Sequence, residues 1–249
     1  MRPLLLVICL LVLVAGFPQE SGMANFVFQF FAMPLFYQHN INRDTKLAIW
    51  RIEEPESFFL KKTSLDQDIP HAHKRLQHLA GRYLLPILFD DFPLQDIQIG
   101  ESRKPFLQMN PYHFSISHCK DFAAAMVSRT QRVGVDVEIS ASRILAIGHK
   151  FLSQTENNLL ISQQNLLVNG NEFQRKDWLT LLWSAKEAIF KWYGEGGINF
   201  IEHIQLKEIK AGAGDDWIGL SFIFKKGPTV PLVVNGKFFD NLSLAWVMS

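Results

Sequence analysis

The stretch Val133-Gly134-Val135-Asp136-Val137-Glu138-Ile139 alternates apolar residues with Gly134, Asp136 and Glu138. A period of two belongs to a strand, and a slip of one residue would carry every valine to the wrong face. Any fold open to this chain must bury the valine side and give the acids a place on the other. Asp136 and Glu138 then lie roughly 7 Å apart along the strand. Carboxylates that close repel each other unless a cation sits between them. Oxygen ligands of this kind suit Mg²⁺, which takes one or two carboxylates with waters and substrate phosphates. Taken alone, the segment also reads as a half-exposed strand whose polar side carries solvated acids.

A second strong pattern lies downstream. From Lys176 to Tyr193 the apolar residues Leu182, Ala185, Ile189 and Trp192 recur at helical spacing, which predicts a long helix with one buried stripe. Glu187 and Lys191 stand one turn apart on a shared face, so an exposed intrahelical ion pair is the plainer reading for them. Gly194-Glu195-Gly196-Gly197 stops the helix.

The rest of the chain alternates strand and helix signals. Strands are expected within 25–36, over 46–52 and 97–99, from Phe114 to Cys119, and over 123–128. The turn at 128–132 suggests that the last of these pairs with the carboxylate strand as a hairpin. Glu53 to Ser57 opens a helical region, and Pro70 to Phe89 predicts a longer helix with Leu76, Leu79, Ala80, Tyr83 and Leu84 inward. Ser153-Gln154-Thr155-Glu156 has the capping-box pattern, so a helix follows from Thr155. Four strands are expected after residue 203. The two halves of 23–249 hold similar elements, with a join near 110–130.

Length and composition set the bounds. The 249 residues suffice for one large domain or two smaller ones, and 48% hydrophobic residues suffice for a substantial core. A net charge of +1 offers no global argument for nucleic acid, so anion binding must come from local clusters. Cys9 and Cys119 make no disulfide framework, which fits a reducing compartment. Residues 1–22 pull the other way. Met1-Arg2, the apolar run from Leu4 to Val14 and Ala15-Gly16 have the layout of an export signal. Met23 also looks like a natural start, which would make 1–22 an upstream extension.

Three segments in order, Phe114-Ser115-Ile116-Ser117-His118, Gly134-Val135-Asp136-Val137-Glu138 and Trp183-Ser184-Ala185-Lys186-Glu187-Ala188-Ile189-Phe190-Lys191, resemble the 4′-phosphopantetheinyl transferases of the surfactin-synthetase-activating type. Lys104-Pro105-Phe106 and Phe151-Leu152-Ser153-Gln154-Thr155-Glu156 look like two further family patches. The resemblance implies an α+β fold: a pseudo-dimer of two similar α+β halves, here 23–120 and 121–249, with the active site in the cleft between them. It implies Mg²⁺-dependent transfer of the 4′-phosphopantetheine group of coenzyme A to a serine of an apo acyl or peptidyl carrier protein. Adenosine 3′,5′-bisphosphate would be the other product.

Carried over residue by residue, Asp136, Glu138 and Glu187 would be the metal ligands. Glu187 would also take the serine proton. Lys186 and Lys191 would meet the pyrophosphate. Ser117, His118, Arg75 and Lys61 or Lys62 would hold the ribose 3′-phosphate, and Lys104 and Pro105 would flank the adenine. Lys61, Lys62 and Lys104 also read as exposed lysines, and His118 as a structural histidine. Arg103 and Glu195 depart from the family's glycine and lysine at those places. A basic patch for an acidic carrier is expected around Arg132, Arg143 and Lys150. The resemblance also implies a cytoplasmic protein acting as a monomer, without stable membrane association. A generic Mg²⁺-dependent phosphohydrolase or nucleotidyl transferase, and a non-catalytic carrier-binding module, are the alternatives.

Overall fold

The computed structural model describes residues 35–65, 69–100, 104–108, 112–162, 174–211 and 217–249. The described residues all belong to one compact unit. The leader-like residues 1–22, Arg103 and most of the strand expected at 25–36 lie outside the described residues.

The described residues open with strands β1 (Leu35–Asn42) and β2 (Thr45–Arg51), a single helical turn α1 (Glu56–Phe59) and helix α2 (Ala72–Leu88). The short strands β3 (Ile97–Ile99) and β4 (Pro105–Leu107) pair with each other, and β5 (His113–Cys119) and β6 (Phe122–Ser128) form a hairpin. Then come β7 (Val133–Ile139), α3 (Arg143–Ile147), α4 (Gln154–Ser162) and α5 (Arg175–Tyr193). Strands β8 (Ile204–Ala211), β9 (Ile218–Phe224), β10 (Val230–Phe239) and β11 (Leu242–Met248) complete the described chain. The class is α+β, as expected.

Besides the β3-β4 pair, the described residues form two larger antiparallel sheets, ordered β1-β2-β6-β5 and β7-β11-β10-β9-β8. They pack face to face through Leu47, Ile49, Ala124 and Met126 of the first and Val133, Val135, Val137, Leu242 and Leu244 of the second. Helix α2 covers the outer face of the first sheet and α5 that of the second, each with its own core. This four-layer order explains why β2 and β6 are apolar on both sides: each is covered twice. The two sheets share one connectivity. In β2-α2-β5-β6 the last strand returns beside the first, giving the order β2-β6-β5; in β7-α5-β10-β11 the order is β7-β11-β10.

The expected hairpin between β6 and β7 does not form. The two strands lie in different sheets, β6 beside β2 and β5, and β7 beside β11. The chain passes between sheets at 129–132, where the Ser128 hydroxyl accepts hydrogen bonds from the amides of Thr130 and Gln131. The division anticipated after residue 120 falls inside the β5–β6 hairpin of the first sheet.

Both sheets expose an edge at the crossing, and the edges meet. Every second residue of β5 turns a small polar side chain toward β7. Ser115 Oγ accepts from the Val135 amide at 3.1 Å, Ser117 Oγ from Val137 at 3.3 Å, and Cys119 Sγ from Ile139 at 3.4 Å. These side chains replace the missing neighbour strand of β7, whose buried amides would otherwise lack acceptors. The alternate residues Phe114 and Ile116 pack toward α2.

Candidate active site

Helix α5 is the element that aims the site. Gln174 and Asp177 close a capping box at its start, and Gly194, at a φ of 80°, ends it in the left-handed conformation that favours glycine. The expected stripe Leu182, Ala185, Ile189 and Trp192 is buried. The helix lies close on β7: a side-chain carbon at Gly134 would overlap the Ala188 carbonyl and stand 2.8 Å from the Trp192 amide nitrogen. Gly134 therefore permits the contact that brings α5 onto the carboxylate face.

That face is not solvated, contrary to the half-exposed reading of the strand. Asp136 is only 4% exposed. Its Oδ1 accepts from the Ser117 hydroxyl at 2.7 Å and from Lys191 Nζ at 2.7 Å. Its Oδ2 is buried and has no hydrogen-bond partner. The Cys119 thiol donates to Glu138 Oε2 at 3.0 Å, while burial and that bond push the thiol up to about 12. Burial and the repulsion of Asp136 raise the Glu138 carboxyl. Glu187 is raised to about 7, first by burial, then by Asp136, with Glu138 adding to it and Lys191 opposing. The three acids of the resemblance thus feel one another across β7 and α5. Among the described residues, no three His, Cys, Asp or Glu side chains are already arranged to hold an ion. The donor set still fits Mg²⁺: it is all oxygen, mutually repulsive, and includes an unpartnered buried carboxylate oxygen.

Lys191 and the end of α5 open onto a cleft lined by Lys104, Pro105, Phe114, Ser115, Phe190 and Gly194 among others. A second cleft adjoins it, sharing Lys104, Pro105, Phe114 and Gly194 and adding His113, Arg132, Tyr193 and Glu195. Lys104 Nζ donates to the Lys191 carbonyl, one of the last of the helix. Burial first, and then Arg132, lowers Lys104 to about 8. His118 is pulled down to about 4 by burial, by His78 and by Lys191, and its ring packs edge-on against His78 at 4.9 Å.

Other expected site residues sit elsewhere. Lys186 is fully buried: its ammonium pairs with Glu156 Oε1 at 2.7 Å and donates to the carbonyls of Phe151 and Phe200. It faces the core and not the cleft, away from the pyrophosphate contact expected of it. Glu156 and the two carbonyls hold its ammonium on the core side of the helix, away from the cleft. Ser117 is engaged with Asp136 and the Val137 amide, which ties it to the carboxylates. Arg75 forks onto Glu56 at 2.7 and 2.9 Å and donates to the Ile69 carbonyl. Lys61 and Lys62 are exposed just past α1, with Lys62 Nζ 6.0 Å from the Tyr83 ring centre. Of the basic patch, Arg132 lines the second cleft, Arg143 lines a hollow beside Glu138, and Lys150 is exposed.

Sequence reasoning missed Cys119, Glu156 and His78. Glu156 carried the most signal: its capping box forms, Oε2 accepting from Ser153 N at 2.7 Å. Its second oxygen holds Lys186 and the Leu206 amide.

Comparison with known proteins bears on this same segment. Residues 132–216 match the 4′-phosphopantetheinyl transferase superfamily. Enterobactin synthase component D of Salmonella typhi is 30% identical over 123 residues, 49% of this chain and 49% of its own length. Enterobactin synthase component D of Escherichia coli O157:H7 is 34% identical over 121 residues, 47% of this chain and 54% of its own. The 4′-phosphopantetheinyl transferase AcpT of Escherichia coli O157:H7 is 30% identical over 131 residues, 52% of this chain and 64% of its own. The chain spans about half the length of the first of these relatives. Asp136, Glu138, Glu187 and Lys191 all fall within the matched residues. Among the described residues, no helix is long and apolar enough to cross a membrane.

Proposed function

We propose that this chain transfers the 4′-phosphopantetheine group of coenzyme A to a serine hydroxyl of an apo acyl or peptidyl carrier protein, releasing adenosine 3′,5′-bisphosphate. The observation that carries the reading is the Lys191–Asp136 ion pair, with Lys191 on the cleft wall, within the segment that matches the superfamily. The shared connectivity of the two sheets supports the two-half, surfactin-synthetase-activating type and a single chain as the working unit.

Opening a phosphoanhydride asks little covalent chemistry of a protein; positioning and charge stabilisation dominate. Lys191 is held by Asp136 with its side chain 24% exposed, so its ammonium can face both the acid and a diphosphate in the cleft. Glu187 would take the serine proton, directly or through water. Lys104 and Pro105, on the cleft wall, would flank the adenine. His118 would meet the 3′-phosphate, whose negative charge opposes the downward pull of burial and of Lys191 on the ring. Magnesium, held by Asp136, Glu138 and Glu187, would polarise the diphosphate oxygens when bound. Coenzyme A as substrate favours the cytosol as the place of action.

The test is release of adenosine 3′,5′-bisphosphate from coenzyme A and Mg²⁺ with and without an apo carrier protein. Release only with the carrier supports transfer. Equal release without it would favour a phosphohydrolase, and none in either case a binding module.

A further inference from the structure

The ladder between β5 and β7 does more than close an edge. It repeats with a fixed offset: each β5 side chain accepts from the amide twenty residues on, and its next contact is with the side chain nineteen residues on. Ser117 accepts from Val137 and donates to Asp136, and Cys119 accepts from Ile139 and donates to Glu138. Ser115 accepts from Val135, but the residue at its nineteen-residue offset is Gly134, which has no side chain. The same device thus occurs three times, twice holding a carboxylate and once holding none.

We propose that Ser117 and Cys119 are positioning residues that orient Asp136 and Glu138 toward a divalent cation. Each is anchored to the β7 backbone while its single hydrogen is spent on one carboxylate oxygen. For Asp136 this, with Lys191, engages Oδ1 and leaves Oδ2 buried and unpartnered. The oxygen left over is the one with its coordination unfilled. Because both clamps come from the first sheet and both carboxylates from the second, the site's geometry depends on the register between the sheets. Partners of this kind govern the direction of a ligand as well as its basicity. The proposal rests on the reading of Asp136 and Glu138 as cation ligands.

The test uses the full chain and Mn²⁺ as a paramagnetic probe, with affinity read by electron paramagnetic resonance and stability by thermal melting. S115A, S117A and C119A each remove one acceptor of a β7 amide, so each lowers the melting temperature. S117A and C119A should also weaken Mn²⁺ binding about 10- to 100-fold. S115A should keep the wild-type affinity, and C119S, which restores a donor and an acceptor, should recover most of the loss. If S117A does not fold, Ser117→Cys takes its place, with an affinity between wild type and C119A. Equal affinities for S115A, S117A and C119A would overturn the proposal, because the ladder would then only dock the sheets. A wild-type protein that binds no Mn²⁺ would overturn it too, and the wild-type curve alone identifies that the cation reading has failed.

Discussion

Glu187 offers the sharpest test of the carboxylate cluster, because its charge works against the metal-free fold. Its carboxyl ordinarily titrates at 4.5 and is raised to about 7 here. Between those values the folded state holds a proton that the unfolded state has released. Stability must therefore fall as pH rises through that window. The gap is 7 − 4.5, and at about 1.4 kcal/mol per unit the ionised form costs about 3 kcal/mol at pH 8. Glu187→Gln keeps the shape and removes the charge. In metal-free protein the variant should match wild type at pH 5 and exceed it by up to about 3 kcal/mol at pH 8. For a unit of this size that is roughly 6–12 °C in melting temperature. Melts in chelator at the two pH values measure it, and the variant should also lose transfer activity. A stability difference that is the same at pH 5 and pH 8, or a variant less stable at pH 8, would refute the electrostatic account of the cluster.

Other consequences follow from particular contacts. Lys186→Met should cost about 3–5 kcal/mol in denaturant unfolding by stranding buried Glu156, and Glu156→Gln in the same chain should return part of it. A Lys186→Met protein of wild-type stability would contradict the buried pair. Gly134→Ala should destabilise by about 3 kcal/mol or more, since the added carbon meets α5 backbone and not a flexible side chain; calorimetry reads it directly. Lys104 loses its proton near pH 8, so coenzyme A affinity should drop between pH 7 and pH 9, and Lys104→Arg should flatten that profile. His118→Ala should raise the Michaelis constant for coenzyme A more than for dephospho-coenzyme A, and equal effects would remove the 3′-phosphate assignment.

Local pattern reveals much of this molecule and hides the rest for physical reasons. The alternation of 133–139 and the stripe of 176–193 each survive as an element because period and burial agree. What period cannot tell is what covers the second face of a strand. Asp136 and Glu138 read as solvated acids because helix α5, whose contacting residues come more than fifty positions after Asp136, is what lies over them. The failed hairpin has a like cause. A short turn joins β6 to β7, but each strand finds a better partner at long range, β2 and β11. Lys186 was legible after all: it lies four residues after Leu182 and three before Ile189, on the buried stripe. The resemblance drew attention to its charge, and its position on the helix was the better guide. Ser117 illustrates a limit of any local reading, since its partner Asp136 is supplied by the edge of another sheet.

The most direct measurement is the intact mass of an apo carrier protein after incubation with this chain, coenzyme A and Mg²⁺. The account predicts a gain of one phosphopantetheine on the carrier serine, abolished by Asp136→Ala in a folded variant. An unchanged carrier mass with wild-type protein, or an undiminished gain with the variant, would contradict it.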